Sequence, residues 1–154
     1  MATMYYDNDA DLNHLMGKKL CVLGYGSQGR GQSLNLRDSG LDVTVGLRKG
    51  SPSFEKAQAE GMQCAPLEEA LDGADLVTML TPDTTQADLY NKYVATALKP
   101  GAALLFSHGF NLHFKTFEAP KNNDLLMVAP KGPGNLVREV YQAGGGVPCL
   151  FAVE

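Results

Sequence analysis

The chain has 154 residues, 44% of them apolar and 19% charged, with a formal net charge of −4. This describes one globular domain with a sizeable core, and it excludes a disordered or fibrous protein and a general nucleic-acid binder. No apolar run reaches the ~18 residues that span a bilayer, so no membrane partner is expected. The N-terminal stretch MATMYYDNDADLNHL is acidic and lacks the basic and apolar regions of a secretory signal. Cys21, Cys64 and Cys149 form neither a C-x-x-C pair nor a disulfide framework, which fits a reducing, cytoplasmic setting.

In chain order, Asp7, Asp9 and Asp11 resemble a calcium loop only superficially. Leu12 and Lys18 occupy the positions where an EF-hand needs glycine and glutamate. KLCVLG (19–24) and LDVTVG (41–46) read as buried parallel strands, joined by a helical segment that ends at Gly40. Ser51 followed by Pro52 starts a helix that Gly61 closes, and MQCA (62–65) is a short strand candidate. PLEEALDGA opens with proline and carries Glu68 and Glu69 in its first turn. DLVTML (75–80) is a strong strand, and Asp83 with Gln86 predicts a capping box for a helix running to about Leu98. AALLFSHG (102–109), DLLMVAP (124–130) and VPCLFAV (147–153) complete the strands. This alternation predicts a Rossmann-type doubly wound, mostly parallel α/β sheet in a single domain, 1–154.

Between the first strand and the first helix stands GYGSQGRGQ (24–32). A G-x-G-x-x-G is weak evidence alone in a chain with 17 glycines, but a strand end followed by a helix start is where a dinucleotide fingerprint belongs. Gly24 suits the tight turn, Gly26 close approach to a pyrophosphate, and Gly29 close packing of helix on strand. The cofactor's identity is read at the end of the second strand, where NAD sites place a carboxylate and NADP sites a cation. GLRKGSPS (46–53) has no carboxylate; Arg48, Lys49, Ser51 and Ser53 suit a phosphate, so NADPH is favoured over a solvated basic turn with a capping serine. Ligands bind beyond the carboxyl ends of such strands, which makes His108 after AALLF and Lys131 after DLLMVAP candidates to orient or protonate a substrate oxygen. No zinc motif or G-x-S-x-G elbow is present.

YYDNDADLNHL, GYGSQG, SLNLRDSG, VGLRKGSPSFEKA, SHGFNLHF, MVAPKGPG and GVPCLFAV, in that order, resemble the N-terminal domain of ketol-acid reductoisomerase in its short, class I form. The resemblance implies NADPH-dependent isomeroreduction of 2-acetolactate or 2-aceto-2-hydroxybutyrate in branched-chain amino acid synthesis, with two Mg²⁺ ions polarising the substrate oxygens. It implies that Tyr25, Gly26, Ser27, Gln28, Arg48, Ser51, Ser53, Asp83, Thr84, Thr85, Gln86 and Gly134 contact NADPH, and that His108 and Lys131 serve the active site. Many members have His-Ala where this chain has Arg30-Gly31, and Asn135 stands where histidine is common. Gly31 costs a helix about 1 kcal/mol relative to Ala. Arg30 opposes the helix dipole by about 0.3–1 kcal/mol, which a bound pyrophosphate would offset. The family's metal carboxylates lie in an all-helical C-terminal domain that would begin where this chain stops at Glu154. The expectation is therefore a cofactor domain, as fragment, truncation or free-standing unit. It would be inactive alone, its partners being the small substrate and either a separate helical domain or a homo-oligomer. The alternatives are a non-catalytic NADPH-binding or sensing module, and an S-adenosylmethionine or NAD module, which the missing carboxylate disfavours.

Overall fold

The structure, a computed structural model, describes residues 3–154. In chain order the elements are β1 (Lys19–Leu23), α1 (Ser27–Asp38), β2 (Asp42–Gly46), α2 (Pro52–Ala59), β3 (Gln63–Ala65), α3 (Leu67–Leu71), β4 (Leu76–Met79), α4 (Asp83–Leu89), α5 (Ala95–Ala97), β5 (Ala103–Phe106), α6 (Phe110–His113), β6 (Asp124–Pro130), α7 (Gly134–Gln142) and β7 (Cys149–Val153). No helix among the described residues is long and apolar enough to cross a membrane.

β1 is apolar at every position after Lys19 because both of its faces are covered. Leu20 and Val22 pack into one layer with Leu34, Val43, Val45, Phe54 and Ala57. Cys21 and Leu23 pack into the other with Leu71, Val77, Met79, Leu104 and Phe106. All four β1 side chains have no accessible surface, and burial of each leucine or valine is worth about 1.5–3 kcal/mol. The strands lie in the order β3-β2-β1-β4-β5-β6-β7, parallel from β3 to β6. β1 lies between β2 and β4, so chain order reverses there, and Leu23 is level with both Gly46 and Met79. The loops leaving β1, β2 and β4 therefore open on one edge, at the switch point where such sheets bind ligands.

The seventh strand runs antiparallel to β6, pairing Leu126 with Val153, and it forms an exposed edge. Phe151 on that edge meets Tyr5 edge-on at 5.4 Å between centroids. Asp9 and Asp11 accept backbone amides from Tyr6 and Asn13, closing two short turns before β1.

The helix expected after β4 is present, but the capping box is not. Pro82 precedes the first helical residue, Asp83 lies inside the first turn, and no side chain caps that end. Gln86 is buried, and its amide donates to the carbonyls of Thr81 (2.8 Å) and Met79 (3.4 Å). Pro82, at the N-cap, offers neither a side-chain acceptor nor an N–H for Gln86 to receive, so no box can form. Past Leu89 the helix widens into a π turn, Tyr90–Val94, closed by Ala95 N–H to the Tyr90 carbonyl. Tyr90 and Val94 enter the core there.

Candidate cofactor cleft

Gly24 follows β1 with φ +103°, and a Cβ on it would stand 2.8 Å from the Leu80 carbonyl oxygen. The β1 loop thus lies directly against the β4 loop, and only glycine fits. Gly26 caps α1 without a side-chain partner, and nothing approaches its Cβ position within 4 Å. A Cβ on Gly29 would overlap the Gly24 carbonyl. The first helical bond runs from Arg30 N–H to Gly26 (2.8 Å), so the preceding amides of the turn have no intrahelical acceptor. An uncapped helix start with open space before it is an anion site.

A cleft of about 810 Å³ runs from this loop across the ends of β2 and β4. Arg48, Ser51 and Ser53 line its β2 side; Leu67, Leu80, Pro82, Leu89 and Tyr93 form an apolar wall. None of the described residues lining it is a carboxylate. Thr81, also in the lining, keeps a buried hydroxyl with no hydrogen-bond partner. Space, helix-end amides, a cationic end, an apolar wall and an unpartnered hydroxyl together fit a dinucleotide.

Of the residues singled out from sequence, Gly24, Tyr25, Gly26, Ser27, Gln28, Arg48, Ser51 and Ser53 line this cleft. Ser51 also caps α2, accepting from Phe54 N–H at 3.3 Å. Thr84 and Thr85 lie exposed on α4, and Gln86 is committed to the buried network in which Asn111 donates to it (2.8 Å) and to the Asp83 carbonyl (3.0 Å). Gly134 lies beneath the loop, where its Cβ would overlap the Ser27 carbonyl. His108 is exposed after β5 and is not among the residues lining the cleft; it lies 3.7 Å from an Asp83 carboxylate oxygen, and its Nδ1 accepts the Phe110 N–H at 3.2 Å. Lys131 follows β6, its side chain exposed and its N–H bonded to the Pro148 carbonyl at 2.8 Å.

Two glutamines on α1 tie these loops together. Gln28 donates to the Gly132 carbonyl (2.9 Å), holding the loop that carries Lys131. Gln32 donates to Gln28 (3.1 Å) and to the Ser107 hydroxyl (2.9 Å), next to His108. Sequence reading missed Gln32, Thr81, Leu80, Asn111 and Glu60. Only Leu80-Thr81 had a usable signal, because it directly follows a strand at the ligand-binding edge.

Arg30 faces away from the cleft. Its Nε donates to both Glu60 carboxylate oxygens (2.8 and 2.9 Å), and Tyr25 donates its hydroxyl to the same carboxylate at 2.8 Å. Glu60 offsets Arg30 at this helix start. Burial favours a neutral Glu60, but the bonds from Tyr25 and Arg30 and the nearby positive charge outweigh it, holding the carboxyl below its ordinary value. Burial, then the Glu60 bond and charge, push the Tyr25 hydroxyl well up. Gly31 has its own reason: a Cβ there would stand 2.5 Å from the Gly134 carbonyl oxygen, where α1 crosses α7.

Residues 14–154 match the family described as acetohydroxy acid isomeroreductase, NADPH-binding domain. Among solved structures, the chain is similar to an NADH-preferring ketol-acid reductoisomerase from an uncultured archean, with 42% identity and a TM-score of 0.91. That alignment covers 96% of this chain and 46% of the other, so the chain spans less than half that protein's length. A semialdehyde dehydrogenase NAD-binding protein from Cupriavidus necator aligns with a TM-score of 0.68 at 22% identity, over 75% of this chain and 42% of the other. A 3-hydroxyisobutyrate dehydrogenase from Mycobacterium tuberculosis gives 0.65 at 19%, over 90% and 46%. These last two show a shared fold only. With a family match over almost its whole length, the chain belongs to the acetohydroxy acid isomeroreductases, the ketol-acid reductoisomerase family, as their nucleotide-binding domain.

Proposed function

We propose that this chain binds NADPH in preference to NADH, and that it acts as the cofactor domain for isomeroreduction of 2-acetolactate or 2-aceto-2-hydroxybutyrate. Family membership alone does not select the cofactor, since the archean relative prefers NADH. The observation that carries the reading is the β2 side of the cleft, with Arg48, Ser51 and Ser53 and no carboxylate among the described lining residues. A ribose 2′-phosphate is recognised by cations and hydroxyls; an unphosphorylated ribose is recognised by an acid.

On this reading the α1 amides hold the pyrophosphate, Gly26 leaves room for it, and the Thr81 hydroxyl finds its partner on the ligand. The bound dinucleotide supplies the reducing equivalent. His108, its Nδ1 occupied by the Phe110 amide, carries its proton on Nε2 when neutral and presents that donor to a substrate oxygen. Lys131 adds a positive charge beside the same oxygens. Magnesium does not fit the residues present: among those described, no three His, Cys, Asp or Glu side chains form a group that could hold an ion.

Charge-assisted contacts to a phosphate are worth roughly 1.5–3 kcal/mol, and about 1.4 kcal/mol is tenfold in affinity, so NADPH should bind at least about tenfold tighter than NADH. Calorimetric titration with both cofactors tests this, and equal affinities would refute it. Arg48→Asp should abolish or reverse the preference.

A further inference from the structure

Arg30 and Glu60 stand outside the cofactor cleft, yet they are joined to its floor. Tyr25 is the link. It lies between Gly24 and Gly26, its side chain is buried, and its hydroxyl ends on Glu60 at 2.8 Å. Glu60 is also fixed through its backbone, since Arg37 donates to its carbonyl at 2.7 Å. The carboxylate, held by Tyr25 and Arg30, is therefore an anchor behind the loop that meets the pyrophosphate. An anchor of that charge, left alone, repels a doubly anionic ligand. Arg30 supplies the opposite charge through a bidentate contact in which Nη2 also reaches Glu60, at 2.8 Å. Arg30 borders a groove with Leu34, Asn135 and Arg138 rather than the cofactor cleft.

We propose that Arg30 and Glu60 are positioning residues for the dinucleotide: Glu60 anchors Tyr25 behind the glycine loop, and Arg30 neutralises Glu60 so that the anchor does not repel the bound anion. The inference rests on the cofactor reading above, though not on the choice between NADPH and NADH. It explains why a cation occupies a helix start whose dipole disfavours one.

The test uses the full chain and ADP-ribose, which carries the pyrophosphate without nicotinamide or 2′-phosphate. Arg30→Ala should weaken ADP-ribose binding about 3–10-fold, the order expected for one uncompensated charge acting on a dianion in a high-dielectric setting. Arg30→Ala combined with Glu60→Gln should bind within about twofold of wild type, because Gln still accepts the Tyr25 hydroxyl and carries no charge. Arg30→Lys, which keeps the charge and guards against an unfolded alanine variant, should also stay near wild type. Circular dichroism establishes that each variant is folded. If the double variant binds as weakly as Arg30→Ala, Arg30 contacts the ligand itself and the proposal is overturned. Unchanged binding by Arg30→Ala overturns it equally. Failure of wild type to bind ADP-ribose removes the cofactor reading and this inference together, whereas wild-type binding with no rescue removes only the inference.

Discussion

Replacing Gly134 by alanine tests how the cofactor loop is held. Gly134 opens α7 directly under the first turn of α1. A Cβ on it would overlap the Ser27 carbonyl and stand 2.5 Å from the Gln28 amide nitrogen. Those are backbone atoms, so no side chain can rotate aside and the helices must separate. Gly31 presses on the same crossing from the other side, and polar contacts continue it. Arg138 donates to Asn35 (2.9 Å) and Asp38 (2.5 Å), and Ser39 pairs with the Tyr141 hydroxyl (2.8 Å).

An unhindered Gly→Ala change stabilises by roughly 0.4–1 kcal/mol, whereas overpacking costs about 1–3 kcal/mol. The net is a loss of about 1–2 kcal/mol, or roughly 2–8 °C in Tm for a chain of this size. Because the atoms displaced belong to the loop proposed to hold the pyrophosphate, NADPH and NADH should weaken by similar factors. Thermal denaturation followed by circular dichroism, with calorimetric titration of both cofactors, reads both effects. A stabilised variant would show that α1 and α7 do not meet at Gly134. Destabilisation with wild-type affinity would show that α7 does not set the loop.

Thr81→Val should leave the ligand-free chain as stable as wild type or more so, since it removes a buried hydroxyl without a partner, while weakening cofactor binding; unchanged affinity would mean the hydroxyl does not meet the ligand. Stability should also fall in acid. Hydrogen bonds from Arg138 and then Arg37 hold Asp38 below its ordinary value, Lys99 and the Lys19 amide do so for Asp75, and Glu60 is lowered as described. With folded values depressed, the unfolded chain takes up protons first, so their contribution is complete above the ordinary carboxyl range near pH 4–4.5 and is lost as pH falls below that range towards the depressed folded values. Urea midpoints that stay constant from pH 6 to about 3.5 would contradict this. Finally, the 154-residue chain should not oxidise NADPH in a Mg²⁺-dependent manner with acetolactate, because its described acids form no ion-binding group; substantial turnover would reveal a missed metal site.

What the sequence disclosed was local in the chain. Strands covered on both faces read as unbroken apolar runs, so β1 and β4 were plain, and β7 was recognisable, although its antiparallel direction was not encoded in its own residues. Helix ends were readable where one residue explains the stop: Gly40 and Gly61 both adopt positive φ after α1 and α2. Asp83 and Gln86 misled because the spacing of a capping box also suits an inward-turned glutamine, and only the position of Asn111 decides between them. The cofactor cleft was readable for a related reason, since its loops each follow a strand directly.

The remaining site residues were hidden because their partners are remote: Gln28 reaches Gly132 across 104 positions, and Arg30 reaches Glu60 across 30. Arg30 and Gly31 looked wrong for a helix start by local rules, at about 1 kcal/mol or less apiece. Both anomalies resolve in three dimensions, one at a carboxylate behind the glycine loop and the other at a helix crossing with no room for a methyl group. A penalty of that size, placed next to a binding loop, implies a tertiary contact that exceeds it. Consecutive violations are therefore better guides to the packing around this cleft than the residues that obey the local rules.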